Sequence, residues 1–217
     1  FYAEAGGQAG DEGTISQGEA LEIQIDTVRK TAADVYVHFG RVTKGTAAAE
    51  ETVTAAVNPE TRYATMSHHT ATHLLQAALL QVLGDHVKQS GSAVGPESLR
   101  FDFTHYAAMT AEQLAEVEAK INRWVWENHP VRCSVLPLKE AQARGAIALF
   151  GEKYGEKVRT VEVKGDRAPV SFELCGGTHV NATGAIGPVR IVSESAISAG
   201  NRRIEAVAGP KAIEYTL

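Results

Sequence analysis

The sequence predicts an α+β protein in which a small N-terminal β-barrel precedes a larger α+β domain. Three observations support this class. Residues 1–60 show short alternations of apolar and polar residues, with turn residues between them and no good helical pattern. The rest of the chain contains strong helical patterns together with several strand patterns. These strands and helices do not alternate regularly, so a doubly wound parallel sheet is not expected.

The composition is that of an ordinary globular protein. The chain has 217 residues, of which 44% are hydrophobic and 22% charged, and its formal net charge is −5. This negative balance argues against a general nucleic-acid coat protein, which depends on clustered Lys and Arg. An RNA partner would therefore have to be bound locally, by a few basic residues. No stretch approaches about 18 uninterrupted apolar residues, so no membrane span is expected.

The number of cysteines and the start of the chain indicate the cellular compartment of the protein. Only Cys133 and Cys175 are present, and nothing indicates a secreted disulfide scaffold. We expect a reducing, cytoplasmic compartment in which both thiols are free. The chain begins with Phe1 and has no signal peptide. It is expected to be an excised piece of a larger protein.

The first part, residues 1–60, is expected to form the small barrel from short strands such as the one around 21–25. Asn58-Pro59 marks the expected boundary to the second domain, residues 61–217. Glycines are concentrated at the entry to this part, at Gly6, Gly7, Gly10 and Gly13. Their spacing favours ordinary turn glycines, and the alternative is a backbone that must approach a ligand closely.

The second part opens with a helix predicted over residues 68–83, with Ser67 as N-cap and Gly84 just past its end. This segment contains no Asp, Glu, Lys or Arg, and its apolar residues extend almost all the way round. Such a helix belongs in a core. Its polar stripe should then face a cavity or a ligand, and it consists of His69, Thr72, His73 and Gln76.

Further elements follow from local patterns. A helix over residues 111–128 should begin with a capping box of Thr110 and Gln113. A shorter helix is predicted near 139–144, ending at Gly145. Strands are predicted around residues 99–104, 131–137, 158–163, 170–175, 187–194 and 202–207.

Two histidines in the first of these helices are candidates for metal binding. His69 and His73 are four residues apart, so their side chains leave the same face about one turn apart. The pair alone is a weak signal, because most helical histidines are surface or core residues. The residues Thr70 and Ala71 between them also lack the Glu of the zinc metalloprotease motif, which excludes that class.

The second candidate pair is Cys175 and His179, separated by Gly176, Gly177 and Thr178. A glycine turn after a strand can fold tightly enough to bring a thiolate and an imidazole to one centre. The alternative is a buried structural cysteine beside an unrelated histidine, and this alternative is preferred for Cys133. Taken together, the two pairs supply three imidazoles and one thiolate, a set that suits tetrahedral Zn²⁺.

Several motifs in order along the chain resemble those of one family. They are Phe1–Asp11 (FYAEAGGQAGD), Ser67–Leu75 (SHHTATHLL), Lys88–Ser92 (KQSGS), Leu174–His179 (LCGGTH) and Arg202–Val207 (RRIEAV). Together they resemble the editing domain of alanyl-tRNA synthetases with the small β-barrel that precedes it. The resemblance covers essentially the whole chain. One departure is His68, where a different polar residue is expected, and it adds an imidazole near the metal pair.

The resemblance implies roles for residues outside the ligand set. Gly6 and Gly7 become candidates for a site element near the RNA end, alongside the turn interpretation. Thr72 is expected to face the bound amino acid, and the alternative is a hydroxyl bonded back to its own helix carbonyl. Gln89 matches a position associated with the editing pocket, and the alternative is a solvent-exposed loop residue.

The resemblance also implies a function. The chain is expected to hydrolyse the ester of alanine tRNA mischarged with serine or glycine, using Zn²⁺ bound to His69, His73, Cys175 and His179. Its partners would be the acceptor end of that tRNA and the remaining synthetase domains. The alternatives are a freestanding editing protein that acts in trans and a non-catalytic, zinc-stabilised tRNA-binding module. The related threonyl-tRNA synthetase editing domain shares both ligand pairs, but the barrel segment and closing strand resemble the alanyl type.

Few residues are candidates for direct phosphate contacts. The basic residues that come nearest to forming clusters are Lys153, Lys157, Arg159, Arg202 and Arg203. Most of them are expected to be solvated surface residues.

Overall fold

The computed structural model describes residues 1–148 and 154–217. The α+β class is confirmed. The first part contains four strands, which are β1 (Gly13–Gln17), β2 (Leu21–Lys30), β3 (Tyr36–Lys44) and β4 (Thr54–Val57). They form an antiparallel sheet in the order β3-β2-β1-β4. The sheet has its own small apolar core around Ala3, Ile25 and Val28.

The long helix α1 runs from Pro59 to Leu83, so its predicted start near residue 68 was wrong. Asn58 is the N-cap, and its side-chain oxygen accepts hydrogen bonds from the first turn. A proline is well tolerated at the first helical position, since the N–H that it lacks has no partner within the helix. Asn58-Pro59 thus begins the helix, and Ser67 lies buried inside it. The predicted end at Gly84 is confirmed.

The second part surrounds α1 with two further antiparallel sheets. One has the order β10-β11-β6-β5, from β10 (Val189–Ser198), β11 (Asn201–Ala208), β6 (Leu99–Thr104) and β5 (Gln89–Val94). The other has the order β7-β8-β9, from β7 (Val131–Pro137), β8 (Lys157–Val163) and β9 (Ser171–Leu174). The remaining helices are α2 (Ala111–Glu127), α3 (Leu138–Ala143), a 3₁₀ turn (Thr183–Ile186) and α4 (Pro210–Thr216).

The six predicted strands and the capping box of α2 are confirmed. Strand β5 and helix α4 were among the elements that were not predicted. The Gly- and Ser-rich β5 has little strand propensity of its own, and it forms because β6 offers a partner. Helix α4 has only seven residues, too short for a periodic signal.

The core of the second part lies around the middle of α1. Leu74, Leu75 and Leu79 are fully buried there, among side chains from α2, β6 and β11. The prediction that this helix belongs in a core is therefore confirmed. Its buried polar residues, including His69 and Thr72, consequently lie in the protein interior.

The beginning of the chain contacts the second part directly. The Val94 N–H donates to the Gly7 carbonyl at 2.8 Å, and the Ala9 N–H donates to the Val94 carbonyl at 2.9 Å. Residues 7–9 therefore pair with the edge strand β5 at Val94. Asp11 also pairs with Arg62 of α1. The division into domains 1–60 and 61–217 stays a prediction.

Among the helices that the structure describes, none combines the length and the apolar character needed to cross a membrane.

Candidate metal centre

Four predicted ligand side chains converge on one point. His69 and His73 come from the middle of α1, and Cys175 and His179 come from the loop that follows β9. One potential ligand atom from each residue lies within 4.8 Å of those of the other three. Cys175 Sγ is 3.4 Å from His69 Nε2 and 3.3 Å from His179 Nε2. A tetrahedral zinc would hold such a sulfur and nitrogen about 3.6 Å apart, given its usual bond lengths.

In each of the three histidines, the ring nitrogen Nδ1 lies close to a polar side chain outside the ligand set. His69 Nδ1 lies 2.7 Å from Gln8 Oε1, and His179 Nδ1 lies 3.2 Å from Thr70 Oγ1. His73 Nδ1 lies 2.8 Å from Glu173 Oε2, a contact outside ideal hydrogen-bond angles. Partners of this kind orient metal-bound histidines in proteins.

These partners determine which ring nitrogen carries the proton. The Thr70 hydroxyl donates its only proton to the Met66 carbonyl, so it must accept from His179 Nδ1. The Glu173 carboxylate likewise faces His73 as an acceptor. The protons therefore sit on Nδ1, and the Nε2 lone pairs are available at the centre. Among the described residues, buried His73 Nε2 has no hydrogen-bond partner, as expected of an atom placed for a metal.

The charges at the centre also fit a cation. Burial opposes ionisation of the Cys175 thiol, but His179, His69 and His73 outweigh it and lower its pKa to about 2. Burial lowers the pKa of His179 to about 3. Burial also opposes a proton on His73, but Glu173 and Cys175 raise its pKa well above the usual value. A thiolate and a carboxylate thus favour positive charge at the centre, which a divalent ion would supply.

The imidazole of His68 does not compete for this centre. His68 Nδ1 lies 2.9 Å from the Gly95 carbonyl, and its Nε2 accepts from the Ala208 N–H at 3.0 Å. Burial lowers the pKa of His68. It is a structural residue that joins α1 to β11.

The ligand loop is braced by Arg159 of β8. Its guanidinium donates to the Cys175 carbonyl at 2.8 Å and to the Gly177 carbonyl at 2.7 Å. Arg159 also contacts exposed Cys133, whose Sγ is 3.1 Å away. Arg159 therefore holds the loop, a role that the sequence did not indicate.

The other predicted basic residues have varied surroundings. Arg202 makes two hydrogen bonds to Glu194, and Arg203 makes two to Asp102. Lys157 is exposed at the edge of the cavity beside the centre. Lys153 lies outside the described residues.

A cavity of about 390 Å³ adjoins the centre, as the polar stripe of α1 predicted. Thr72 is buried in its wall, and its hydroxyl donates to the His68 carbonyl at 2.9 Å. Gln89 lies on β5 across the cavity, half-buried, and its amide donates to Ser92 Oγ at 3.2 Å. The back-bonded alternative for Thr72 is therefore observed, whereas Gln89 is a strand residue and not a loop residue.

Gly6 and Gly7 form a turn at the mouth of this cavity. Both have positive φ, +58° and +81°, which favours glycine. Gly6 lines the cavity beside the ligand cluster, and both glycines line a larger groove of about 890 Å³ next to it. A Cβ on Gly7 would lie 2.5 Å from the Ser92 carbonyl oxygen. The turn interpretation is therefore observed, with the turn packed closely against Ser92 of β5, whereas a close approach of this backbone to a ligand stays a prediction.

Sequence reasoning missed several residues that complete the site. Glu173 could have been found, because it lies two residues before Cys175 and so on the same face of the strand. Gln8, Thr70 and Tyr2 gave no such signal. Tyr2 lines the cavity, and burial raises its pKa to about 12.

Comparison with known proteins agrees with this geometry. A family model described as the threonyl and alanyl tRNA synthetase second additional domain matches residues 158–205. A second, described as class II (A) tRNA synthetases, matches residues 1–61. Similar curated proteins include alanine–tRNA ligases of Nostoc punctiforme (48% identical), Acaryochloris marina (46%) and Synechococcus sp. strain JA-3-3Ab (50%). Each match covers 99% of this chain and 24% of the relative.

The first model and the ligand cluster together identify residues 158–205 as part of a threonyl and alanyl tRNA synthetase second additional domain. The chain belongs to the alanyl-tRNA synthetase family. It spans about a quarter of the length of the curated relatives that it matches.

Proposed function

We propose that this chain hydrolyses the ester that links a wrong amino acid, serine or glycine, to the end of alanine tRNA. The observation that carries the proposal is the open cavity beside the ligand cluster, with Thr72 in its wall. A synthetic pocket shaped for alanine cannot exclude the smaller glycine, and it rejects an added hydroxyl only modestly. A second, hydrolytic site removes such errors.

We propose Zn²⁺ as the metal, because one thiolate and three imidazoles form a borderline-soft tetrahedral set. When bound, zinc would supply a positive charge that neutralises the thiolate and attracts the electron-rich groups of the substrate. With all four side chains as its ligands, the ion would have a closed shell without a position for an activated water. The role that fits this shell is to organise the cavity.

Thr72 recognises the serine side chain in this proposal. Its hydroxyl proton is used by the His68 carbonyl, so its oxygen can act only as an acceptor for the seryl hydroxyl. Alanine and glycine have no hydroxyl to offer, so this contact favours serine alone, and without serine the Thr72 hydroxyl keeps its hydrogen bond to the His68 carbonyl. Gln89 contributes from the facing strand, where its amide oxygen can accept from the substrate ammonium group or from water.

The cavity distinguishes this function from a non-catalytic zinc-stabilised RNA-binding module. A structural zinc needs only a closed shell, whereas here two ligand histidines and Thr72 line an accessible space. Relatives carry the corresponding segment within an alanine–tRNA ligase. We therefore propose that this chain acts within such a ligase, with alanine tRNA and the other synthetase domains as partners, and not as a freestanding protein.

Deacylation of charged tRNA tests the proposal. The zinc-loaded chain should release serine and glycine from alanine tRNA faster than it releases alanine, and a chelator should abolish this release. The measurement follows labelled amino acid at a protein concentration above the measured tRNA dissociation constant. Under that condition, absence of release would exclude the hydrolytic function and favour the binding module.

The Thr72→Val variant tests the recognition of serine. Val keeps the shape of Thr but removes the oxygen, so the seryl hydroxyl loses its partner. We expect serine release to slow by about 5- to 150-fold, which corresponds to about 1–3 kcal/mol. Glycine release by the same variant is the internal control and should change little. Equal slowing of both substrates would assign Thr72 to packing.

A further inference from the structure

The start of the chain reaches the metal centre through one buried side chain. Gln8 is 1% exposed, although it precedes the first strand. Backbone hydrogen bonds between Ala5 and Gln8, at 3.0 and 3.2 Å, form the turn that contains Gly6 and Gly7. The hydrogen bonds to Val94 then hold the segment against β5. The position of Gln8 is therefore determined by backbone pairing on both sides.

The amide of Gln8 contacts both ligand-bearing elements. Its Oε1 lies 2.7 Å from His69 Nδ1 on α1 and accepts from the Thr178 N–H at 2.8 Å. Its Nε2 donates to Thr178 Oγ1 at 2.9 Å. Thr178 immediately precedes His179. One amide thus joins the helix that carries two ligands to the loop that carries the other two.

The chemistry of these contacts fixes the orientation of the amide. A backbone N–H can only donate, so the Gln8 atom facing Thr178 N must be the carbonyl oxygen. The same oxygen faces His69 Nδ1, which must then carry a proton. His69 Nε2 is left with its lone pair toward Cys175 Sγ, 3.4 Å away. Gln8 therefore selects the tautomer of His69 that can bind a metal.

Gln8 differs from the other two outer partners in its origin. Thr70 is the neighbour of His69, and Glu173 precedes Cys175 by two residues, so both come from the elements that carry the ligands. Gln8 comes from a separate segment, 61 residues before His69. Its contribution is lost whenever that segment moves, even if α1 and the ligand loop remain folded.

We propose that Gln8 is a positioning residue for the metal centre, so that residues 5–9 are a functional part of the site and not only the entry to the first sheet. This inference rests on the proposed metal-dependent function. It implies that a movement of the Gly6–Gly7 turn would change the orientation of the His69 imidazole, because Gln8 follows the turn directly and contacts that imidazole. A substrate that binds against the turn would therefore contact the same segment, residues 5–9, that positions His69 at the metal centre.

Zinc affinity of Gln8 variants tests this proposal. Gln8→Leu fills nearly the same volume but has no acceptor, and we expect its zinc affinity to fall about 10- to 100-fold. Gln8→Glu retains an oxygen that can accept from both His69 Nδ1 and Thr178 N, and it should recover most of the loss. The matched control is Gln17→Leu on β1, at a glutamine that belongs neither to the ligand cluster nor to the lining of the adjoining cavity.

Affinity is measured by competition with a chromophoric chelator, and Co²⁺ substitution provides an independent readout. The visible bands of a Co²⁺–thiolate centre report ligand geometry, so Gln8→Leu should shift them whereas Gln17→Leu should not. Circular dichroism establishes that each variant is folded. If Gln8→Leu does not fold, Gln8→Glu still tests the proposal, because zinc affinity near the wild-type value supports the acceptor role and a loss of about 10- to 100-fold contradicts it.

The possible failures can be told apart. A folded Gln8→Leu variant with wild-type zinc affinity and an unchanged Co²⁺ spectrum would overturn this inference alone. A wild-type chain that binds neither Zn²⁺ nor Co²⁺ would overturn the metal in the proposed function and this inference with it.

Discussion

Replacement of Cys175 by Ala is expected to abolish stable zinc binding, with an affinity loss of more than about 100-fold. Loss of an outer partner of a metal ligand typically costs about 10- to 100-fold, and loss of the ligand itself should cost more. Cys175 is the only thiolate at the centre. The three histidines that lower its pKa to about 2, against the effect of burial, would lose the anion they surround. Deacylation activity should disappear with the metal.

The second cysteine provides the matched control. Cys133 is exposed on β7 and lies outside the ligand set. The Cys133→Ala variant should therefore retain one zinc per chain. Metal content after dialysis, measured by mass spectrometry, decides between the outcomes. One zinc per chain in the Cys175→Ala variant would show that the assigned ligand set is wrong.

A methyl group at Gly177 is expected to disrupt the centre almost as strongly. A Cβ built on Gly177 would lie 2.0 Å from His69 Cε1 and 2.7 Å from Gln8 Oε1. Neither group can move freely, because each is buried and hydrogen-bonded to the other. The Gly177→Ala variant must therefore displace His69 from the centre. We expect loss of zinc together with a destabilisation of about 1–3 kcal/mol from overpacking.

The adjacent glycine makes this experiment specific. A Cβ on Gly176 would have no heavy atom within 4 Å, and Gly176 is not among the glycines with positive φ. Gly176→Ala should therefore keep both the zinc and the stability of the wild type. Zinc titration and thermal unfolding of the two variants form the comparison. Loss of zinc from both variants would show that the loop needs glycine for its backbone conformation, and retention of zinc by both would show that the space beside His69 does not require glycine.

The different surroundings of Gly176 and Gly177 also refine the reason for the glycines in the ligand loop. From the sequence, both glycines were expected to provide unusual backbone dihedrals. In the structure, neither is among the glycines with positive φ. The requirement at Gly177 is the absence of a side chain where the His69 ring packs, which depends on a residue more than a hundred positions away in the chain.

Local patterns were sufficient to predict much of the fold. The capping box of Thr110 and Gln113 predicted the start of α2, because a cap involves only neighbouring residues. The start of α1 was mistaken, since its first two turns are partly exposed and Asn58-Pro59 resembles a break as much as a cap. β5 was missed because its strand conformation depends on β6 and on residues 7–9.

The sequence by itself determined the two candidate ligand pairs of this protein, since each pair is local: a helix places His69 above His73, and a short turn brings Cys175 to His179. Only the tertiary structure decided that the two pairs meet. It also decided that Gln8 contacts the imidazole of His69 and that Arg159 braces the ligand loop. The physical reason is that hydrogen bonds between distant segments depend on how helices and sheets pack. The residues that make these bonds show no periodic pattern in the sequence from which the bonds could be predicted.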